Sequence, residues 1–277
     1  MPSNREAYFE ALKLDIPKSV IEFALQEVND FSNLELIKNF DEEIHDYLFF
    51  KNAIERFING EMIEYIFNKA YFLSTPFFVN KDVLIPRQET EQLVLRTIEL
   101  IKEMFGDQII KIADVCTGSG CIGLSIVLSL PNNNYLLTDI SKEALRVAKK
   151  NAEALINNTN IKFLNGDMLE PLKGQKLDVI VCNPPYISNI EGIDEKTWKQ
   201  EPHLALLAEP TTLYYEEVLK NYGSIINPKY LLAFEIGEDM IDELTNLVEN
   251  YCPNAFYFFE NDMYGKTRFL FIKQLGI

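Results

Sequence analysis

The sequence predicts an α/β fold: a seven-stranded, mostly parallel sheet with helices on both faces, preceded by a small helical bundle and a linking β-hairpin. Three observations predict it. From about residue 90 onward, short apolar runs rich in β-branched and aromatic residues alternate with longer stretches of helical periodicity. The last two strand-like runs, AFYFFE and TRFLFIK, are too close together for a helical crossover, so they should pair antiparallel. Before residue 70 there is no glycine until Gly60, and apolar residues recur at helical spacing. The expected organisation is a helical domain over residues 1–70, a hairpin over 71–84 and the sheet domain over 85–277.

In SVIEFALQEV, Val20, Phe23, Ala24, Glu27 and Val28 fall at helical spacing, and Ser19 after Pro17 is placed to cap. EEIHDYLFFKNAIERFING repeats the pattern through Ile44, Leu48, Ala53, Phe57 and Ile58, with Gly60 suited to the position past a helix end. AYFLSTPFFVN reads as two aromatic-rich strands around Ser74, Thr75 and Pro76. ETEQLVLRTIELIKEMF is helical, KIADVC a strand and GCIGLSIVLSL a helix. NYLLTDI, IKFLNGD and LDVIVCN are strands, with the helix KEALRVAKKNAEAL between the first two. Helices over 211–222 and 238–250 then flank the strand YLLAFEIG, and the antiparallel pair closes the sheet.

Composition narrows the function classes. Hydrophobic residues at 47% allow a full core. The 26 lysines and arginines face 42 acids, a net charge of −16, which argues against a long phosphate-tracking surface and against stable nucleic-acid binding. The four cysteines (Cys116, Cys121, Cys182, Cys252) are unevenly spaced, as expected for reduced thiols in a cytoplasmic protein. With only His45 and His203 and no CxxC, no metal site is expected. Neither a signal peptide nor an apolar run of membrane-spanning length is present in the sequence, so no membrane association is expected.

ADVCTGSGCIG follows a strand and opens a helix. Gly118 and Gly120 let the backbone turn and approach a ligand, and with Gly123 they spell GxGxxG, a weak signal for a dinucleotide. Asp114 tilts the choice, because a carboxylate before the glycines suits a ligand's ammonium group and repels a pyrophosphate. Asp139, at the end of the next strand, can accept both hydroxyls of a ribose. Asp167, ending the third strand, can accept from an adenine amine while Met168 packs on the ring. This order resembles the Rossmann-like class I methyltransferases over roughly residues 85–275, and the resemblance implies S-adenosylmethionine as cofactor.

The fourth strand, LDVIVC, delivers NPPY. An amide or exocyclic amine is a poor nucleophile because its lone pair is delocalised. Two acceptors for its N–H bonds orient it and favour tetrahedral geometry as the new bond forms. The Asn183 side-chain oxygen and the Pro184 carbonyl can supply that pair, Pro184 and Pro185 fix the chain, and Tyr186 can stack on the planar group. NPPY is similar to the motif shared by adenine, cytosine and glutamine-amide methyltransferases, and by itself it leaves the substrate open.

VLIPRQETEQLV (residues 83–94) resembles the VLIPRPETE segment of the release factor glutamine methyltransferases. AIERFINGEMIEYIFNKAYFLSTPFFVN is similar to the segment just upstream in that family, EPHLALLAEPTTLYYEEVL to its EPxxAL stretch, and YLLAFEIG and YGKTRFLFI to the ends of its last strands. The resemblance implies methylation of the glutamine amide in the GGQ loop of class 1 peptide chain release factors. It places Cys116, Thr117, Gly118, Ser119, Gly120, Asp139, Met168 and Asn183 on the cofactor, and Asn183, Pro184, Pro185 and Tyr186 on the glutamine. Arg87, Glu89 and Thr90 would shape the entrance. Three positions depart from the family pattern: Cys116 stands where Gly is usual, Gln88 where Pro is usual, and AEPTTL replaces a Gly-rich stretch. The alternatives are a ribosomal-protein glutamine methyltransferase, a DNA adenine methyltransferase and a non-catalytic cofactor-binding adaptor. The DNA enzyme would need a basic groove, and the adaptor should have lost Asp114, Asp139 or Asn183.

Overall fold

The computed structural model describes residues 1–157, 160–190 and 193–276. The chain divides into two compact units, one comprising Met1–Lys69 with Glu195–Gln200, the other Ala70–Asp194 with Glu201–Ile277.

The first unit is helical: α1 (Asn4–Leu12), α2 (Lys18–Asn29), α3 (Asn33–Lys38), α4 (Tyr47–Ile58) and α5 (Ile63–Phe67), joined by α9 (Glu195–Gln200). Helices α1 and α3 start on capping boxes, Ser3 with Glu6 and Ser32 with Glu35. The expected cap at Ser19 is not made. Helix α2 begins at Lys18, directly after Pro17, so Ser19 lies inside its first turn and no side chain caps it. Gly60 does lie past the end of α4, at φ +101°. Ala7, Ile21, Ala24, Leu25, Ile44, Phe50 and Ala53 form the core, and the Lys196 ammonium sits 3.5 Å from the centre of the Phe57 ring.

A hairpin follows, β1 (Lys69–Phe72) and β2 (Thr75–Phe78), all of it but Lys69 in the second unit. Its turn is tighter than the sequence suggests: Leu73 and Ser74, both at positive φ, make a two-residue connection, and Thr75 and Pro76 already belong to β2. The strands that follow are β3 (Lys111–Val115), β4 (Asn134–Asp139), β5 (Asn160–Asn165), β6 (Leu177–Cys182), β7 (Ile226–Glu235), β8 (Phe256–Asn261) and β9 (Thr267–Leu275). They form one sheet in the order β5-β4-β3-β6-β7-β9-β8, with β5 to β7 parallel and β9 antiparallel to both β7 and β8.

Two apolar layers bury both faces. Val179 and Val181 of β6 point to one, with α6 (Gln88–Phe105) and α7 (Cys121–Ser129). Ile180 and Cys182 point to the other, with α10 (Leu213–Asn221) and α11 (Ile241–Tyr251). Burial of each such Val or Leu side chain contributes about 1.5–3 kcal/mol, and burial on both faces is why these strands read as continuous apolar runs. The first strand order reverses at β3, flanked by β4 on one side and β6 on the other. Ligands bind at such a point, beyond the carboxyl ends of the strands. Helix α7 lies so close to β3 that a Cβ on Gly123 would meet Asp114 Oδ2 at 2.8 Å and Leu137 Cγ at 3.0 Å. Among the described residues no helix is long and apolar enough to cross a membrane.

Candidate functional site

A cavity of about 140 Å³ opens at the carboxyl ends of β3 to β6. Its floor is the loop from Cys116 to Ser119, in which Cys116 and Gly118 both take positive φ, +60° and +54°. Asp114 lies buried beneath that loop. One of its oxygens accepts from the Thr117 hydroxyl at 2.5 Å and the Gly123 amide at 2.9 Å, and the other has no partner. Burial pushes this carboxyl up to about 7, opposed by those two hydrogen bonds.

Asp139, at the tip of β4, accepts from the Gly118 amide at 2.9 Å and the Ser141 amide at 2.8 Å. Burial raises its pKa against these amides. Ser141 caps α8 (Lys142–Leu155), its side chain accepting from the Ala144 amide. Asp167 and Met168 follow β5, and the Met168 sulfur lies 3.6 Å from the Cys116 sulfur.

The fourth strand tip has a polar cluster. The register pairs Cys182 with Phe234, which sets the next residues, Asn183 and Glu235, side by side. Asn183 Nδ2 donates to Thr90 Oγ1 at 3.5 Å, and Thr90 in turn donates to Glu235 Oε2 at 2.6 Å. The Tyr186 hydroxyl donates to Glu235 Oε1 at 3.4 Å, and Tyr215 donates to the Glu235 carbonyl at 2.8 Å. Glu235 is 3% exposed; burial raises its pKa, opposed by Thr90, the Arg268 charge and Asn183. Across the cavity mouth, the buried Glu201 carboxylate accepts from the Ile85 amide at 3.0 Å and pairs with Arg87. That pair ties the IPR segment to the Pro202–Ala205 turn, and both contribute to the walls.

Of the sequence-derived candidates, Cys116, Thr117, Gly118, Ser119, Asp139, Asp167, Met168, Asn183, Pro185, Arg87 and Thr90 all line this one cavity. Asp114, Gly120, Pro184, Tyr186 and Glu89 do not line it. Asp114 supports the loop from below, Gly120 is the residue before α7 at φ +84°, and the Tyr186 hydroxyl is turned to Glu235. Sequence reasoning missed Glu235 and Glu201. Each carried a faint signal: an acid closing the apolar run YLLAFE, and an acid opening EPHLAL.

Residues 93–200 match the family model described as Methyltransferase small domain. The chain is 35% identical over 243 residues to the release factor glutamine methyltransferase of Bacillus cereus, covering 85% of both chains. The chain belongs to the release factor glutamine methyltransferase family. The protein of that name from Mycoplasma mycoides subsp. mycoides SC is 39% identical over 217 residues, 76% of each chain. Among solved structures, the hMettl16 catalytic domain superposes with a TM-score of 0.57 at 16% identity, covering 72% of this chain and 74% of that one. A methyltransferase from Pyrococcus furiosus gives 0.52 at 15%, covering 82% and 100%. These two show the fold, that of the class I methyltransferases.

Cys116 holds a left-handed φ of +60°, which costs an L-residue about 1–2 kcal/mol. Cys116→Gly should therefore raise the unfolding free energy by up to about 1 kcal/mol, after the extra freedom of Gly in the unfolded chain is subtracted. A urea titration showing a loss of stability instead would refute the strain. Asp114 yields a pH prediction. Its folded value of about 7 lies above its ordinary 3.8, so its contribution to stability is full at low pH and lost as pH rises through about 7. The unfolding free energy of the wild type relative to Asp114→Asn should fall between pH 4 and pH 8; a constant difference would refute the shift.

Proposed function

We propose that this protein transfers a methyl group from S-adenosylmethionine to the side-chain amide nitrogen of the glutamine in the GGQ loop of class 1 peptide chain release factors. The observation that carries the reading is the strand-tip Asn183 on the wall of a cavity shared with Asp139 and Asp167, in a chain of this family.

The lining suits the cofactor. Asp82, Asp139 and Asp167 face the cavity with Arg87 as its one cation among the described residues, and Arg87 is already paired with Glu201. Such a lining favours a cationic ligand over a pyrophosphate. Asp139 would hold the ribose diol, Asp167 the adenine amine, Met168 the face of the ring, and the Gly118 turn would let the backbone approach the amino-acid end. When bound, S-adenosylmethionine supplies an electrophilic methyl group on a sulfonium centre.

The chain's own residues do the rest. Asn183 Oδ1 and the Pro184 carbonyl accept the two N–H bonds of the glutamine amide, turning its lone pair toward the cofactor. Tyr186 offers its ring to the amide plane. Methylation would make the amide nitrogen acidic, and Asn183 Oδ1 and the Pro184 carbonyl would pass its proton on toward solvent, so no strong base is needed. Ile140, Met168 and Leu204 give the cavity wall apolar surface. We assign release-factor recognition to residues 1–70, a role supported by the exposed Leu34, Ile37 and Leu48. Cytoplasmic location fits both this substrate and the four free thiols.

Tritium transfer from labelled cofactor tests the reading, offered release factor, its GGQ→GGA variant, the ribosomal protein and duplex DNA side by side. Label is expected on intact release factor alone; label on DNA, or persisting on the GGA variant, overturns the proposal. Asn183→Ala should lower kcat by on the order of 10²–10³-fold while cofactor affinity falls far less. Unchanged turnover would remove Asn183 from the chemistry.

A further inference from the structure

The amide of Asn183 poses a problem that the prolines around it do not solve. Its two ends have the same shape, and only the oxygen can accept the substrate's N–H bonds. If the group turns over, an N–H faces the substrate amide and the site loses an acceptor. Pro184 and Pro185 fix the backbone but leave this choice open. Something else must set it.

We propose that Glu235 is the positioning residue that sets the orientation of the Asn183 carboxamide, acting through Thr90. The proposal rests on the methyl-transfer reading above. An ionised carboxylate only accepts, so the Thr90 hydroxyl must give its single proton to Glu235 Oε2, 2.6 Å away. Thr90 Oγ1 then has only lone pairs left for Asn183, and it receives Nδ2 at 3.5 Å. Thr90 therefore demands the nitrogen end, and Oδ1 is left as the acceptor for the cavity. The same carboxylate accepts the Tyr186 hydroxyl through its other oxygen at 3.4 Å, so it also holds the tyrosine of the motif.

The geometry that permits this is built in at three levels. Parallel register sets residue 235 beside residue 183, the first turn of α6 brings Thr90 over both, and Tyr215 anchors the Glu235 carbonyl at 2.8 Å. Glu235 is buried with no ion pair to its carboxylate among the described contacts; Arg268, the cation that acts on it, is engaged with Asp262 at 3.5 Å. A buried carboxylate held without a direct counter-ion is costly to stability, which marks it as kept for a task.

Four variants test the relay: Glu235→Gln, Thr90→Val, Thr90→Ser and the double Glu235→Gln/Thr90→Val. Each is assayed for kcat and KM on release factor at saturating cofactor, with cofactor Kd by calorimetry and Tm as a check on folding. Glu235→Gln can donate as well as accept, and Thr90→Val removes the bridge. Each should lower kcat by on the order of tenfold to a hundredfold with cofactor Kd changed by less than about threefold. Thr90→Ser, which keeps the hydroxyl, should retain most of the wild-type kcat. The double variant should be no slower than the slower single variant, because both break one chain. Wild-type kcat in Glu235→Gln and Thr90→Val, losses that multiply in the double, or a Thr90→Ser as slow as Thr90→Val would each overturn the relay. A wild-type protein that does not label release factor would overturn the functional reading instead, so the two failures are separable.

Discussion

The site depends on a buried carboxylate that no cation among the described residues meets. Asp114 sits under the Cys116–Ser119 loop and accepts from the Thr117 hydroxyl and the Gly123 amide, so one oxygen joins the middle of the loop to the helix that follows. The main chain reinforces the link: Thr117 donates to the Thr138 carbonyl at 2.9 Å, and Gly120 to the Thr117 carbonyl at 2.8 Å. With β3, β4 and α7 locked together, the Gly118 amide is aimed at Asp139 and the loop keeps its left-handed turns. Loss of that oxygen would release three elements at once. The close approach of α7 at Gly123 follows from the same contact, since a side chain there would occupy the carboxylate's place.

Glu235 repeats the device at the other end of the cavity. It too is buried, its pKa is raised by burial, and it spends its lone pairs on hydroxyl groups. Two acids thus organise a site whose remaining surface carries Asp139 and Asp167, and they do so at the expense of stability. The arrangement is coherent for a ligand that arrives with positive charge. Each organising carboxylate keeps other donors and backbone in place, and the surplus of negative charge remains available to the ligand.

The sheet, its mostly parallel pairing and the antiparallel β8–β9 end were legible because burial on both faces leaves unbroken apolar runs between helical stretches. Asp139 and Asn183 were legible because each terminates such a run with a polar residue. What stayed hidden was set by register and by crossing points. Ser19 looked like a cap, but Pro17 already suits the start of α2, and the helix began before it. The hairpin turn closed on Leu73 and Ser74 rather than Pro76, since a proline is tolerated in an edge strand and a two-residue turn needs positive φ. Asp114, read as a ligand group, lies under the loop, where one of its oxygens accepts from the Thr117 hydroxyl and the Gly123 amide. A linear reading locates a carboxylate near the glycines and has no means of saying on which side of them it lies.

The same limit explains why NPPY is not self-sufficient. Its prolines constrain φ, and so they place the Pro184 carbonyl and the Asn183 Cα from local sequence alone. The direction of a carboxamide is different in kind, because its two ends differ only in whether they donate or accept. Local backbone stiffness cannot distinguish them; only the hydrogen-bond polarity of a neighbour can. That neighbour has to be an obligate acceptor, or to be forced into that role, and in this chain the strand beside the motif supplies one at Glu235. A motif of four residues therefore carries the acceptors, while the information that turns one of them toward the substrate resides in the pairing of β6 with β7.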